Sequence, residues 1–283
     1  METRQTPPNF LNVIFLPDDR FNSLAEDIVD ADYQIGRIGK HIELCLDPES
    51  FSSWAGQFYK RQPKKPKFRR SILLIGAAGV GKTTIAKICA NNFAKKYSKP
   101  VCIVDLGPTR SKYVGESSKN LRIAFDYIRG LAESFTVILF IDEFDSVGVS
   151  RNVEQINEDV AAMVNTLNQQ MSSLDSPNVF IIACSNLEGR IDYATKRRFD
   201  FVFTFRRPTL KQRMAIFETL LDPYGISKDT IYKIAAKTQN YTQDDIVRIS
   251  NLAVELAFFQ NKPVSYWNVW QAVREIKPTG EYT

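Results

Sequence analysis

Residues 76–83 read Gly76-Ala77-Ala78-Gly79-Val80-Gly81-Lys82-Thr83. This stretch fits the pattern G-x-x-x-x-G-K-[ST] at every fixed position, and it lies between an apolar run at 71–75 and a helical pattern that begins at Thr84. A glycine-rich turn lets successive backbone N–H groups converge on phosphate oxygens, and the following helix adds its positive N-terminal end. The flanking strand and helix patterns argue against a chance match, so the sequence predicts a nucleoside triphosphate site.

The predicted contacts of this loop differ in their chemistry. Lys82 is expected to reach the β- and γ-phosphates, and Thr83 is expected to contact Mg²⁺. The other predicted nucleotide contacts are Gly76, Gly79, Val80, Gly81 and Thr84. The expected cofactors from this motif are therefore a nucleoside triphosphate and Mg²⁺.

A second apolar run, at 137–141, ends in the acids Asp142 and Glu143. Such a run reads as a buried parallel strand, which delivers its acids at the carboxyl end, where open α/β sheets bind their ligands. Asp142 is placed to hold Mg²⁺ directly or through water, and Glu143 to polarise the attacking water. The alternative is that both acids cap the next turn, but the phosphate loop argues against it. An Asp-Glu pair, rather than a single Asp, favours hydrolysis over nucleotide sensing alone.

Composition sets wide limits on the class of protein. The chain has 283 residues, of which 44% are hydrophobic, enough for one sizeable core and a smaller companion domain. It shows no charged-then-apolar leader and no apolar stretch near the ~20 residues that span a bilayer, so we expect a soluble, cytoplasmic protein with no membrane span. The four cysteines are far apart, so we interpret them as small buried hydrophobic residues. His41 is the only histidine, and we interpret it as a structural or surface residue.

The positive charge is concentrated in one stretch, at residues 60–70. This stretch holds seven basic residues and two prolines, and without those seven charges the net charge of +5 becomes −2. We interpret it as a solvated, extended linker. A site for nucleic acid, an anionic membrane or an acidic partner is the alternative, although the stretch lacks a series of aromatic residues for stacking on bases.

The pattern along the chain predicts three parts. Residues 1–24 are expected to form a tail, whose apolar patch at 10–16 is either a strand or a partner-binding peptide. Residues 25–207 are expected to form an α/β nucleotide-binding domain, and residues 208–283 a small all-helical lid. The predicted strands are 71–75, 101–106, 136–141, 179–184 and 201–205. Because helical patterns separate them, we predict a parallel sheet with helices on both faces.

Further segments resemble the AAA clade of the AAA+ ATPases, a family of ring oligomers that couple hydrolysis to the remodelling of macromolecules. Residues 111–117 read Ser111-Lys112-Tyr113-Val114-Gly115-Glu116-Ser117 and resemble the family's substrate-gripping pore loop. The resemblance assigns the grip to Lys112, Tyr113, Val114 and Gly115. An exposed tyrosine on such a loop gives an apolar, sequence-tolerant contact. The alternative is an ordinary solvent loop.

Two more matches extend the resemblance. The strand pattern at 179–185 ends at Asn186, which resembles the family's sensor residue and would contact the γ-phosphate and the attacking water. Arg197-Arg198-Phe199-Asp200 resembles the segment that supplies arginine fingers to a neighbouring subunit, in the form found in spastin- and katanin-type ATPases. Arginine suits this role because its planar, permanent charge offsets charge on the transferring phosphoryl group. A solvated basic turn is the alternative.

Two segments depart from the family pattern. Ala77, Ala78 and Val80 replace the usual residues within the phosphate loop, but the backbone cradle does not require those side chains. In the lid, residues 241–246 read Tyr241-Thr242-Gln243-Asp244-Asp245-Ile246. They are bulkier and more polar than the family's pattern on the side expected to face the ribose, and no sensor arginine can be assigned there.

The expected function is ATP-driven remodelling, unfolding or disassembly of a protein partner threaded through a homo-oligomeric ring, expected to be a hexamer. Substrates would be recruited through the tail, the linker or a separate adaptor. One alternative is an ATPase cap for a separate protease, since Tyr282 is penultimate, as in tails that dock some proteasomal ATPases. Another is a DNA-associated AAA+ switch, which the basic stretch 60–70 motivates and the segment Tyr113–Gly115 argues against.

Overall fold

The structure of the protein is a computed structural model, which describes most of the chain. The described residues are 6–26, 28, 31–61, 63–98, 100–106, 116–144, 158–174, 176–186, 191 and 193–280.

One six-stranded sheet organises the larger part of the described chain. Its strands are β1 (Asn12–Leu16), β2 (Ser71–Ile75), β3 (Val101–Asp105), β4 (Thr136–Ile141), β5 (Val179–Ser185) and β6 (Phe201–Thr204). Their order across the sheet is β1-β3-β4-β5-β2-β6, and every pair except β1 with β3 is parallel. The five strands expected from the apolar runs are confirmed to within one residue at each end.

For the apolar patch in the N-terminal tail, the structure decides between the two alternatives that the sequence left open. We expected a tail over residues 1–24, but residues 12–16 form β1, which pairs antiparallel with β3 in the register Asn12 to Asp105 and Leu16 to Val101. The apolar patch is therefore an edge strand, and it closes the side of β3 that would otherwise leave its backbone groups unpaired. Its partner strand lies about 90 residues away, so no local pattern could identify this pairing.

Helices cover both faces of the sheet and form the C-terminal part. They are α1 (Arg20–Glu26), α2 (Asp32–Leu46), α3 (Pro48–Phe58), α4 (Lys82–Tyr97), α5 (Glu116–Leu131), α6 (Glu158–Ser173), α7 (Tyr193–Lys196), α8 (Leu210–Leu221), α9 (Lys228–Lys237), α10 (Gln243–Phe259) and α11 (Tyr266–Glu275). In the part of the chain that the structure describes, no helix is long and apolar enough to cross a membrane.

Alternation along the strands divides the core into two layers. In β2, Leu73 and Ile75 pack into the layer under α5, whereas Ile72 and Leu74 pack into the layer under α2 and α4. All five β2 residues are buried, as the continuous apolar run predicts for a strand covered on both faces. This two-sided burial fixes the carboxyl end of β2, from which the phosphate loop starts.

The C-terminal helices have an apolar core of their own. It runs from Ile216 in α8 to Ile276 just after α11, and Phe217, Ile246 and Val269 in it are fully buried. Helices α8, α10 and α11 each begin with a capping box, in which a threonine or serine and the residue three positions later bond each other's backbone N–H groups. These caps satisfy the free N–H groups at helix starts, one of which faces the phosphate loop.

Candidate functional site

The phosphate loop has the backbone that its glycines allow. Gly79 and Gly81 adopt φ values of 76° and 87°, in the left-handed region that other residues rarely occupy. A Cβ atom at Gly79 would lie 2.8 Å from both Asp244 Cβ and Thr242 Oγ1, so this position excludes any side chain. The loop is thus a tight turn pressed against the start of α10.

Lys82 is held inside this turn. Its side chain is only 5% exposed, and its Nζ donates hydrogen bonds of 2.8 Å to the carbonyl oxygens of Gly76 and Ala77. A third bond, of 2.9 Å, goes to Asn186 Oδ1 at the end of β5. The ammonium group and the predicted sensor residue are therefore neighbours, although 104 positions separate them in the sequence.

The predicted metal ligands also meet in this region. Thr83 Oγ1 donates a hydrogen bond of 3.1 Å to Asp142 Oδ2, and the Glu143 N–H donates one of 2.9 Å to Asp142 Oδ1. Glu143 is exposed and has a φ of 48°, an unusual backbone conformation for a residue other than glycine. Such strain is concentrated at functional sites, where the surrounding structure maintains it.

The remaining predicted loop contacts have different surroundings. Val80 is 8% exposed and packs into the core layer beneath the loop, whereas Thr84 is half-buried in the first turn of α4. Gly76 donates its N–H to the Ser185 carbonyl over 3.2 Å. A Cβ at Gly76 would lie 2.4 Å from the Phe205 carbonyl oxygen, so the loop is also fixed against the segment after β6.

The lid segment 241–246 lies directly against the phosphate loop. The Asp244 N–H donates a hydrogen bond of 3.0 Å to the Gly79 carbonyl, and Gln243 approaches Gly81. The residues that depart from the family pattern therefore contact the loop itself. Thr242 and Asp245 form the capping box at the start of α10, which accounts for two of the polar residues in this segment.

A cavity beside the loop brings Val80 and Gln243, which the sequence analysis named, together with residues that it did not identify. Its lining joins α2, the phosphate loop with α4, the segment after β6, and the lid. The lining residues are Ala31, Gln34, Val80, Ile85, Phe205, Arg206, Pro208, Gln212, Ile216 and Gln243. Because the lining comes from four distant parts of the chain, no spacing pattern in the sequence signals that these residues share one cavity.

The two predicted finger arginines lie at the other end of the sheet. Arg197 and Arg198 are exposed in the turn between α7 and β6, and with Arg69 and Arg70 they line an open cavity of about 660 Å³ at the amino end of β2. Arg198 Nη1 donates a hydrogen bond of 3.2 Å to Ser172 Oγ, and the Arg197 guanidinium lies 5.8 Å from the ring centre of Tyr193. The linker thus brings two of its cations to the predicted finger pair.

Asp200 anchors this arginine turn. Its carboxylate accepts hydrogen bonds from the backbone N–H groups of Arg69, over 2.8 Å, and Ser71, over 3.3 Å. Burial alone would raise the pKa of the Asp200 carboxyl, but the contact with His41 and the two N–H donors outweigh it and hold that pKa below its usual range. A charged Asp200 therefore ties the linker to the start of β6.

His41 and Cys45 complete a polar cluster with Asp200 that sequence spacing did not indicate. His41 Nε2 lies 3.6 Å from both Asp200 Oδ2 and Cys45 Sγ, and the imidazole is surrounded by Phe68, Phe180 and Phe201. Burial and the charge of Asp200 raise the pKa of the Cys45 thiol to about 12, so the thiol is neutral. The expectation that these residues are structural stays an interpretation, now with Asp200 as their partner.

Two predicted segments lie outside the described residues. They are the pore loop with Lys112, Tyr113, Val114 and Gly115, and the C-terminal segment with Tyr282. Their assignments stay predictions from the sequence.

Known proteins are similar to this chain in both sequence and fold. Residues 72–207 match the family described as "ATPase family associated with various cellular activities (AAA)". The chain is 34% identical over 218 residues to the proteasome-associated ATPase of Streptomyces griseus, a match that covers 70% of this chain and 36% of that relative. The corresponding protein of Mycolicibacterium gilvum is 32% identical over 226 residues, covering 73% and 36%. The chain thus spans about a third of the length of these curated relatives.

Solved structures share the fold over a larger share of the chain. A chain of the HORMA:CdnC:Trip13 complex of E. coli MS115-1 superposes with a TM-score of 0.87 at 23% identity, covering 98% of this chain and 100% of that one. C. elegans PCH-2 gives a TM-score of 0.72 at 21% identity, covering 96% and 76%. These likenesses confirm the expected α/β core with a helical domain. With this sequence match and this fold, residues 72–207 form a domain of the AAA family of ATPases.

Proposed function

We propose that this chain hydrolyses ATP and uses the free energy to remodel, unfold or disassemble a protein partner threaded through a homo-oligomeric ring, most simply a hexamer. The proposal rests on one arrangement at the carboxyl edge of the sheet. Lys82 contacts Asn186 there, and Thr83 contacts Asp142, which is followed by the exposed Glu143. A phosphate cradle, a sensor amide and a candidate water-activating acid thus share one edge.

Lys82 and Asn186 would bind the terminal phosphates. The Lys82 ammonium now bonds two loop carbonyls and Asn186, and phosphate oxygens offer it stronger, charge-assisted partners. Transfer of Lys82 to the β- and γ-phosphates would change the hydrogen bonding of Asn186. This exchange gives a physical route by which Asn186 responds to the state of the nucleotide.

Thr83 and Asp142 are the residues that would hold Mg²⁺. Both present hard oxygen ligands, which this ion prefers, and Thr83 Oγ1 and Asp142 Oδ2 already lie 3.1 Å apart. A bound Mg²⁺ would offset charge on the phosphate oxygens. The donor set of this chain therefore fits the ion.

Glu143 would orient and polarise the attacking water. Its left-handed backbone turns the residue away from the direction of β4, and its side chain is exposed rather than paired with a neighbouring cation among the described residues. An accessible carboxylate that directly follows Asp142 supports a role in general-base assistance.

Arg197 and Arg198 would act on the nucleotide of a neighbouring subunit. They lie beside the amino end of β2, whereas the phosphate loop follows its carboxyl end. A five-residue strand is about 17 Å long, too far for these side chains to reach the triphosphate of their own subunit. The arginines therefore require a second copy of the chain, and ring assembly supplies one.

Tyr113 provides the test of threading. Tyr113→Ala should leave basal ATP hydrolysis intact but strongly reduce substrate-stimulated hydrolysis and partner disassembly, because it removes the apolar grip. Tyr113→Phe is the matched control and should retain most of both activities, since the hydroxyl is dispensable for that grip. Full disassembly activity in Tyr113→Ala would contradict the threading mechanism.

The similar proteins favour two kinds of partner. The relatives in Streptomyces griseus and Mycolicibacterium gilvum carry the name "Proteasome-associated ATPase", so a cap for a separate protease is the second candidate function. The fold neighbour from E. coli MS115-1 lies in a complex with HORMA and CdnC, which favours a remodeller of a folded protein partner.

One experiment separates these two candidates. Glu143→Gln should bind ATP without turnover and hold its partners, so the proteins that co-purify with it can be identified. A stoichiometric protease in that complex would favour the cap. A partner that the active wild-type ring releases intact and uncleaved would favour the remodeller.

A further inference from the structure

An exposed cluster of aromatic side chains lies at the end of α3. Trp54, Phe58 and Tyr59 are 47%, 68% and 50% exposed. The ring centroid of Trp54 lies 6.1 Å from that of Phe58 and 5.7 Å from that of Tyr59. Trp54 also contacts the buried ring of Phe51, with centroids 5.6 Å apart, so the cluster is supported from the inside. Large exposed apolar side chains in mutual contact mark an interaction surface.

The chain leaves this cluster as a cationic segment. Its exposed cations are Lys60, Arg61, Lys64 and Lys67. Within the described part of the chain, none of the four forms an ion pair with a carboxylate. Residues 50–70 contain no aspartate or glutamate at all, so no acid within the segment offsets its positive potential.

The far end of the cationic segment is anchored to the folded core. The ring of Phe68 packs edge to face on that of His41, with centroids 5.4 Å apart. The next residue, Arg69, donates its N–H to Asp200 over 2.8 Å. Two prolines between the aromatic cluster and this anchor favour an extended backbone. The cations therefore follow a track that begins at the exposed rings and ends at a fixed point.

The two parts together fit a single-stranded nucleic acid. Each base of such a strand offers a flat face that stacks on an aromatic side chain, and each phosphate offers a negative charge to a lysine or arginine. The bases of a duplex are already stacked on one another, so the exposed rings would gain no partner from them. An acidic peptide would pair with the cations but would also leave the rings without a partner.

An anionic membrane fits the same surface less well. A helix that lies on a membrane carries its cations on its own polar face and a wide apolar stripe on the other. Helix α3 contains no lysine or arginine, because the cations follow in a segment that is not helical. Residues 50–70 also contain no leucine, isoleucine or valine that could insert among lipid chains.

We propose that Trp54, Phe58 and Tyr59, with the four exposed cations of residues 60–67, bind single-stranded nucleic acid. One or two bases stack on the rings, and the phosphates that follow them contact the cations. The basic stretch by itself lacks a series of rings for stacking, and the end of α3 supplies them. This aromatic-basic surface uses neither the phosphate loop nor hydrolysis, so the inference goes beyond the proposed function.

Binding of a labelled oligonucleotide to the full chain tests the surface. Fluorescence anisotropy with a thymidine strand about 20 nucleotides long, which exceeds the usual length of such sites, gives the affinity. Four phosphate contacts predict a slope of about −3 for log affinity against log salt concentration. The affinity should therefore fall about fiftyfold when the salt concentration rises from ~50 to ~200 mM.

Variants of the rings test stacking. Trp54→Ala should weaken the oligonucleotide by about 5- to 100-fold, the scale of one stacked base, without changing the salt slope or the affinity for a duplex. Trp54→Phe keeps a ring and should retain most of the affinity. Phe58→Ala removes the most exposed ring and should weaken the strand in the same way, which keeps the test decisive if Trp54→Ala does not fold. Phe258→Ala is the matched control, because it removes a ring of the lid that is 79% exposed, and it should bind like the wild type.

Variants of the cations test the electrostatic part. Lys64→Gln combined with Lys67→Gln should make the salt slope shallower by about 1.4, because two phosphate contacts are lost. Lys262→Gln is the control, since it removes an exposed lysine of the lid and should leave the slope unchanged.

Several results would overturn the proposal. The first is that the wild-type chain does not bind the strand, or that both ring variants bind it with wild-type affinity. An equal loss for strand and duplex in Trp54→Ala would show that the rings do not stack on bases. Binding to vesicles of phosphatidylcholine and phosphatidylserine that Trp54→Ala abolishes would assign the surface to a membrane instead. Displacement of the strand by polyglutamate at equal charge would assign it to an acidic protein segment. None of these results bears on ATP hydrolysis or threading.

Discussion

The predicted functional groups at the two ends of strand β2 differ in their exposure and in their hydrogen bonding. At the carboxyl end, Lys82 is 5% exposed and bonded to Gly76, Ala77 and Asn186. At the amino end, Arg197 and Arg198 are exposed, and their described side-chain contacts are one serine hydroxyl and one tyrosine ring. The cation of the first region has its hydrogen-bond partners within one chain, whereas the cations of the second region are exposed to solvent.

This difference bears on how the chain works. A cation that is fully bonded in place is preorganised for a ligand of its own subunit, because little ordering remains to be done on binding. Exposed cations along a cavity instead form their strongest interactions when an anion from outside the subunit binds there. The comparison therefore supports one site that a single subunit completes and one that a neighbour completes.

The two regions are nevertheless in contact through the core. Phe144 follows Glu143, Phe199 follows Arg198, and their rings meet edge to face with centroids 5.5 Å apart. Both rings are nearly inaccessible to solvent. A shift of the arginine turn would therefore reach the residue next to Glu143 through a packed aromatic pair.

The largest expected effect tests the self-contained region. Lys82→Ala should abolish nucleotide binding, because the loop keeps its N–H donors but loses the cation that neutralises the phosphates. Equilibrium binding of labelled ATP measures this. Lys95→Ala, on the same helix about 20 Å further along its axis, is the control and should bind normally. Unchanged affinity in Lys82→Ala would refute the assignment of the phosphate loop.

The second prediction tests the outward-facing region. Arg198→Ala should leave ATP binding near normal and lower hydrolysis by ~10³–10⁵, the range of arginine fingers that act in trans. Arg197→Ala should show the same pattern, with one of the two arginines dominant. Arg274→Ala, an exposed arginine on α11, should be silent in a steady-state ATPase assay.

Mixed assemblies sharpen the same comparison. Subunits carrying Arg198→Ala, mixed with subunits carrying Lys82→Ala, should regain some turnover, since some interfaces then pair an intact pocket with an intact finger. If assembly is normal and mixing restores none, the arginines do not act across subunits.

A third prediction concerns the acid next to the phosphate loop. Glu143→Gln should bind ATP but lose ~10²–10⁴ in turnover, because only activation of water is removed. Single-turnover hydrolysis measures the loss, and Glu133→Gln on the surface before β4 is the control. Wild-type turnover in Glu143→Gln would show that another group acts as the base.

The smallest predicted effect concerns stability at the arginine turn. The pKa of Asp200 is lowered in the fold, so its contribution to stability is present above the ordinary aspartate value of 3.8 and is lost as the pH falls further. Asp200→Asn should lower the free energy of unfolding by about 1–3 kcal/mol at pH 7. Urea unfolding from pH 7 to pH 3 should show this deficit shrinking toward acid.

The control for this effect is Asp229→Asn in the lid, which removes an exposed ion pair with Lys233. It should change the free energy of unfolding by less than about 1 kcal/mol. A deficit in Asp200→Asn that does not vary with pH would mean that the charge of Asp200 is not what stabilises the turn.

The sequence alone was sufficient for the five parallel strands. Continuous apolar runs such as 71–75 and 137–141 indicate strands buried on both faces. The glycines of the phosphate loop and the polar residues at strand ends can also be recognised from the local sequence. Contiguous motifs therefore predicted Lys82, Thr83, Asp142 and Glu143 as neighbours, and the structure brings them together. The edge strand β1 was left open because its pairing with β3 depends on a contact across about 90 residues.

Other features exist only in the tertiary structure. Gln34 lines the cavity beside the phosphate loop, and Asp244 donates a hydrogen bond to Gly79. Asp200 contacts both His41 and the linker. Each of these contacts forms because folding brings distant segments together. Their residue types are common and carry no signal on their own. The local sequence determined which residues can bind phosphate. The tertiary structure decided which residues surround the nucleotide site, because burial and hydrogen bonding between segments depend on all the packed neighbours at once.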